Sequence, residues 1–327
     1  DDLLARSEAP VPRSVDLYRV TYNINRPRQD VAHPRLMARA VGNFDNGSRL
    51  GLTYAVQLNL REEREPTRGN SRPDFDFFLL SHTAAVIYDH APVQLAGAQL
   101  EGTWGLNVMA QDNRYEGLPL IPSYAAGSAG VFALERWRHP SIELELGARY
   151  EFTRRRAFIS PIAQCKLAGG IWTVETGCSL QNSLPNRLPE NGCTERTDDF
   201  SCGSNFHMFS FAVGALVRVA ADSSIKLNLS SAARTPTIDE QYIDGNAPSF
   251  PLLAEGDTRL RPETNYTASL SFTKQGPLNI EASVYGSYVV DYIIFSPVLD
   301  ENGVPALWQL VRGRQPRFYY SNTDATF

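Results

Sequence analysis

The 327-residue sequence contains no apolar run approaching the roughly 18 to 20 residues that a membrane-spanning helix needs. That excludes a helical span in these residues. A spanning β-strand needs only about 9 to 11 residues of alternating character, so a barrel stays open. Basic tracts are lacking too: 31 Lys and Arg stand against 36 Asp and Glu, a net charge of -5. Without a basic patch there is no electrostatic footprint for nucleic acid, and that partner class is set aside. The start at Asp1 lacks a charged region followed by an apolar run, so the expectation is that any leader has been removed or lies outside this sequence. No G-x-S-x-G, P-loop or post-strand G-x-G-x-x-G occurs, and neither an enzyme nor a bound cofactor is expected.

Cysteine is scarce and confined. Cys165, Cys178, Cys193 and Cys202 fall in one polar stretch containing Gly, Asn and Pro. An even number so placed points to two loop disulfides in an oxidising compartment. The rival is a zinc site with His207, but the spacing lacks a C-x-x-C pair. His33, His82, His90, His139 and His207 are scattered, with no H-E-x-x-H, so each is read as structural and no metal site is expected.

What the sequence does have is period two. Leu50, Leu52, Tyr54, Val56, Leu58 and Leu60 alternate with Gly51, Thr53, Ala55, Gln57, Asn59 and Arg61. The same alternation runs through Ile142 to Tyr150, Ile225 to Ser230, Asn265 to Phe272 and Leu278 to Tyr285, and less cleanly through Phe209 to Val219. Several runs exceed the usual 5 to 6 or so residues of globular strands, and their second face is strongly polar. Connections alternate: short at Asp45 to Ser48, His139-Pro140, Ala221 to Ser224 and Lys274 to Pro277; long at Glu62 to Asp74, Asp112 to Tyr124, Ser160 to Asn205, Pro236 to Glu263 and Pro297 to Gln315. Only Ala91 to Gln99 is too long for a tight turn. Short turns on one rim and long loops on the other are the pattern of outer-membrane barrels. No segment carries a helical period. The fold expected is an all-β, antiparallel transmembrane β-barrel of about a dozen strands. Glu143 and Glu145, two apart on one strand, are then lumen-facing charge rather than a catalytic pair. Tyr242, Tyr288, Tyr292, Trp137 and Trp308 are girdle or loop-packing aromatics.

Three stretches carry a family resemblance. Arg234-Thr235-Pro236 through Glu240-Gln241-Tyr242, followed by Glu255-Gly256-Asp257 through Leu260-Arg261-Pro262-Glu263, resembles the R-A-P-x-x-x-E-L-Y and G-N/D-P-x-L-x-P-E loop of TonB-dependent receptors. Phe132 to Trp137, with Leu144 to Glu151, is similar to that family's F-x-x-E-x-W and L-x-L-x-x-G-x-R-Y-D/E hairpin; Asn322 to Ala325 is similar to the start of a later strand. The likeness is good from Arg49 to Phe327. It implies a barrel of about 22 strands, with residues 1–327 forming the middle of one barrel domain. A plug domain, a TonB box and the closing strands are then expected outside this sequence, because an open wall would expose unpaired edges to lipid. A complete, smaller barrel is the alternative.

The resemblance implies a multi-pass receptor in a Gram-negative outer membrane, in contact with outer-membrane lipid and with the TonB energy-transducing complex through an absent plug. It would bind a scarce small-molecule nutrient: a ferric siderophore, haem or another metal complex, cobalamin or an oligosaccharide. Candidate ligand contacts are Glu240, Tyr242, Asp244, Asn246 and Arg259 on the long loop, although Glu240 and Arg259 also read as wall-lining ion-pair members and Pro236 and Pro262 as direction-setting. The rivals are a structural or adhesive barrel without transport, and a secreted all-β carbohydrate-binding protein.

Overall fold

In the computed structural model the chain is described over residues 28–64, 73–118, 120–159, 172–173, 177–178, 193–196, 199–246, 252–310 and 313–327. Its first half contains β1 (Arg28–Ala32), β2 (Arg35–Asn43), β3 (Arg49–Arg64), β4 (Phe75–Asp89), β5 (Val93–Leu95), β6 (Ala98–Gly117), β7 (Ser123–Arg138) and β8 (Ile142–Ile159). Three short pieces follow, β9 (Trp172–Thr173), β10 (Gly177–Cys178) and β11 (Cys193–Arg196), then β12 (Asp199–Ala220) and β13 (Ser223–Arg234). After a five-residue helix, α1 (Ile238–Tyr242), come β14 (Asp244–Asn246), β15 (Leu253–Glu255), β16 (Glu263–Lys274), β17 (Ile280–Pro297), β18 (Leu307–Leu310) and β19 (Gly313–Thr326).

The wall is an antiparallel meander. β1 and β2 pair with successive parts of β3, and the ladder continues through β4, β6, β7, β8, β12, β13, β16, β17 and β19. Taking β1 with β2 as one interrupted strand gives eleven wall strands, close to the expected dozen. Among the described residues no pairing joins β2 to β19.

Side-chain alternation explains why these residues form a wall rather than a sandwich. One register row runs Trp137, Leu144, Ala215, Leu227, Leu270, Val284 across six neighbouring strands. One residue over, the row Glu145, Gly214, Asn228, Ser269, Tyr285 points the other way. The first face is apolar yet open: Leu146 is 56% exposed and Val213, Leu227 and Leu229 are each above 40%. Exposed apolar side chains continuous over so many strands are stable only against hydrocarbon. The outward residues of β8 from Ile142 to Phe152 span about 34 Å of strand, or about 24 Å of height at a tilt of about 45°, which matches a membrane's apolar band.

On the polar face near the short-turn rim, Glu143 and Glu145 lie inward as expected. Arg136 reaches Glu145 at 2.7 Å and Glu143 at 3.3 Å, while Arg138 reaches Glu101 at 2.9 Å. The awkward Ala91 to Gln99 segment turns out to be a small hairpin of β5 with the start of β6, turning at Ala96 and Gly97, both at positive φ. Several expected loops are shorter than the sequence implies, because strands run on past the membrane: β6 continues to Gly117 and β12 begins at Asp199. The expectation of no helix is corrected by α1.

Candidate functional site

The long-loop rim of the inner face is organised by residues 235–246 and 252–262. Thr237 caps α1: its hydroxyl accepts from the Glu240 amide at 3.3 Å, and the Glu240 carboxylate accepts from the Thr237 amide at 2.6 Å. This reciprocal box satisfies two donors that a helix start leaves unpaired. The same Glu240 carboxylate receives Arg234 at 2.9 Å, and Arg234 also donates to Glu263 at 3.1 Å. Glu263 in turn accepts from the Ile293 amide at 3.0 Å. The end of β13, the helix, the start of β16 and β17 are therefore clamped through one guanidinium.

A second arginine does the same from β8. Arg155 donates to the Pro236 carbonyl, to the Thr235 hydroxyl at 2.7 Å and to the Gln241 side chain at 3.4 Å. Gln241 is nearly fully buried. Arg149, Glu151, Arg155, Ser210, Arg234 and Thr237 help line a partly open cleft of about 340 Å³ on this inner surface. Its arginines are all engaged: Arg149 bonds Glu151 and Arg234 bonds Glu240, while Arg155 is held by neutral oxygens alone.

Beyond α1 the chain crosses the mouth. The Asp244 amide donates to the Leu120 carbonyl in the β6–β7 loop at 2.8 Å. β14 pairs with β15, and β15 adds in parallel to β19, Leu253 to Arg317 through Glu255 to Tyr319. Arg317 fixes that junction on Glu255 at 2.6 Å. At the hairpin base the Gly256 amide donates to Ile243 at 2.7 Å and the Asp257 amide to Glu240 at 3.0 Å. A Cβ on Gly256 would lie 2.5 Å from the Gln241 carbonyl carbon, so only glycine permits this approach. Asn322 holds the returning arm, accepting from the Arg261 amide at 2.9 Å and donating to the Asp291 carbonyl at 2.6 Å. Residues 243–246 and 252–262 thus form a strap tied at both sides of the mouth.

The sequence-expected contacts separate on this frame. Glu240 is consumed by the cap and Arg234, so its partner is not Arg259. Arg259 is highly exposed and bonds Asp257 at 3.0 Å. Tyr242 sits in α1, not in a girdle, and burial raises its phenol pKa above the ordinary value. Asp244 faces Glu255 across the hairpin; burial first, and that neighbouring carboxylate second, push its carboxyl up to about 8. The backbone of Asn246 pairs with Leu253, and its side chain lies outside the described residues, as does that of Trp308. Trp137 does face outward on the short-turn side, stacked on His139 at 5.7 Å. The histidines stay apart, His82 on Tyr54, His90 on Glu135 and His207 on Tyr150. Among the described residues no three His, Cys, Asp or Glu come together as a metal site. Cys202 is buried and stands opposite Cys193 in the β11–β12 register, whereas Cys165 lies outside the described residues. Arg155, central to the site, escaped the sequence reading because it sits inside the run Arg154-Arg155-Arg156, which reads as solvated charge.

An antiparallel wall with a lipid-suited face, a polar face and a strapped mouth defines an outer-membrane β-barrel. A family model described as "TonB dependent receptor-like, beta-barrel" matches residues 6–326, and the chain belongs to that family. No individual curated protein matches it. Among solved structures it is similar to the copper transporter OprC, with a TM-score of 0.57 at 14% identity over 91% of this chain and 43% of that one. It is similar also to the ferric-catecholate import receptor Fiu from E. coli, with a TM-score of 0.57 at 9% identity over 93% of this chain and 45% of that one. The alcaligin outer-membrane receptor FauA from Bordetella pertussis gives 0.53 at 11% identity over 91% and 43%. At such identities the likeness shows the fold, and the chain spans less than half the length of these structures.

Proposed function

We propose that this chain is part of the barrel wall of a nutrient-uptake receptor, which binds a scarce solute at the long-loop rim and passes it inward with energy from TonB. The observation that carries the reading is the strapped inner mouth: a polar cleft beside α1, on the face opposite the lipid band, within a family of such receptors. The names of the similar structures favour a metal-containing cargo, copper or an iron chelate, over an oligosaccharide. Of the candidate set, exposed Arg259 at the outer edge is the side chain best placed to meet cargo, while Tyr242 and Asp244 are partly buried and support the strap from within. Glu240 shapes the site without touching it. The plug, the TonB box and the strands that close the wall belong to the rest of the protein in this reading. Disulfides among Cys165, Cys178, Cys193 and Cys202 would stiffen the longest loop, with Cys193 to Cys202 the pairing that the register favours.

The test is a binding panel on the full-length receptor, with ferric siderophores, haem, copper complexes and oligosaccharides, paired with uptake in cells with and without TonB. Saturable binding of one metal complex and TonB-dependent uptake of it are expected. Binding of no panel member, or uptake that persists without TonB, would overturn the reading.

A further inference from the structure

The register divides the three consecutive arginines of β8. Arg155 points inward and is fully engaged, as described above. Arg154 and Arg156 point to the lipid face, and both are exposed. Among the described residues neither makes an ion pair or a side-chain hydrogen bond. Their neighbours on the same face are small or neutral: Gly127 and Asn205 flank Arg154, and Ala125 and Gly203 flank Arg156. Other outward arginines of this rim are satisfied, Arg114 by Asp112 at 3.2 Å and Arg64 by Glu62 at 2.8 Å.

Height fixes what these two cations meet. Immediately below them the outer face carries an aromatic group, with Phe152 and His207 at 5.0 Å and Tyr150 and Phe209 at 5.0 Å. Aromatic girdles mark the membrane interface. One and two outward positions farther along the strand lie about 5 to 10 Å above that level, where lipid head groups carry their phosphates. Exposed guanidiniums bind phosphate in bidentate fashion, and a bare surface beside them leaves room for a head group.

We infer that Arg154 and Arg156, set over the small side chains of Ala125, Gly127 and Gly203, seat the net-anionic, phosphorylated head group of an outer-leaflet lipid. The seat depends on the barrel fold and not on the identity of the cargo.

The experiment is native mass spectrometry of the full-length receptor in neutral detergent, titrated with a bis-phosphorylated lipid and, separately, with phosphatidylcholine. At about 1 kcal/mol for each basic residue near a phosphate surface, the R154Q/R156Q variant should bind the phosphorylated lipid roughly thirty-fold more weakly. Its phosphatidylcholine adducts should be unchanged. The R154K/R156K variant keeps both charges and should retain most of the binding, and heat-resistant gel mobility identifies folded barrel in each sample. Equal retention by folded R154Q/R156Q overturns the proposal, and so does displacement of the lipid by inorganic phosphate at equal concentration.

Discussion

The wall and the strap are built on opposite plans. In the wall each strand is held by neighbours along a continuous ladder, and side-chain identity matters mainly through which face it occupies. In the strap, ladders are three residues long and guanidiniums carry the connections: Arg317 holds the strap on Glu255, while Arg155 and Arg234 hold the helix from which it leaves. Redundancy therefore protects the wall from a single lost contact, while one lost contact can release the strap. The wall's weakness is the wrong chemistry on the wrong face.

The largest effect is expected there. Leu146→Arg places a charge in the middle of the lipid face and should cost about 2 to 4 kcal/mol. Ser230→Arg, one row over on the polar face, should cost little. Urea unfolding of the lipid-reconstituted full-length receptor measures both, and equal losses would erase the distinction between the faces. In the strap, Gly256→Ala forces backbone apart at α1 and should cost about 1 to 3 kcal/mol locally. The signature is faster hydrogen exchange in residues 252–262 with β6 to β8 unaffected; a uniform rise along the wall would mean that strap and wall are one unit.

Arg234→Ala comes next, at about 1 to 2 kcal/mol after allowance for solvent around the half-exposed guanidinium. Hydrogen exchange should rise in α1 and at the start of β16 together, and a rise in only one would break the shared clamp. Thr237→Ala removes the cap alone and should cost about 1 kcal/mol, confined to α1.

Protonation gives the subtlest test. The carboxyl of Asp244 titrates higher in the folded chain, at about 8, than in the unfolded one, so the folded state holds the extra proton between the two values. Its contribution is therefore fully present below the ordinary carboxylate range, falls as pH rises, and is gone above about 8. Strap protection should decline across that window, and Asp244→Asn should flatten the slope. A slope unchanged by the substitution would assign the titration elsewhere.

How far each region could be read in the sequence follows from the same contrast. Period two at Leu50 to Arg61 and Ile142 to Tyr150 is a local consequence of facing oil and water at once, so it survives in sequence. The strand ends at Glu62 to Arg64 and Asp112 to Gly117 look like loop in sequence, because above the membrane both faces are wet and the alternation disappears. α1 is too short for a helical period, although Thr237-Ile238-Asp239-Glu240 does carry the capping-box spacing that could have located it. The contacts of Arg155 and Arg317 span 81 and 62 residues, a distance at which no local pattern records the partner.

The arginine triplet of β8 has a consequence for assembly. Shifting β8 by a single position against β7 or β12 would still leave arginine on both surfaces at its upper end, so charge there gives no check on alignment. Proofreading must come from Leu144, Leu146 and Tyr150 lower down, where the same error would drive Glu145 and Arg149 into hydrocarbon. Correct alignment of this hairpin is thus decided by its oily half alone.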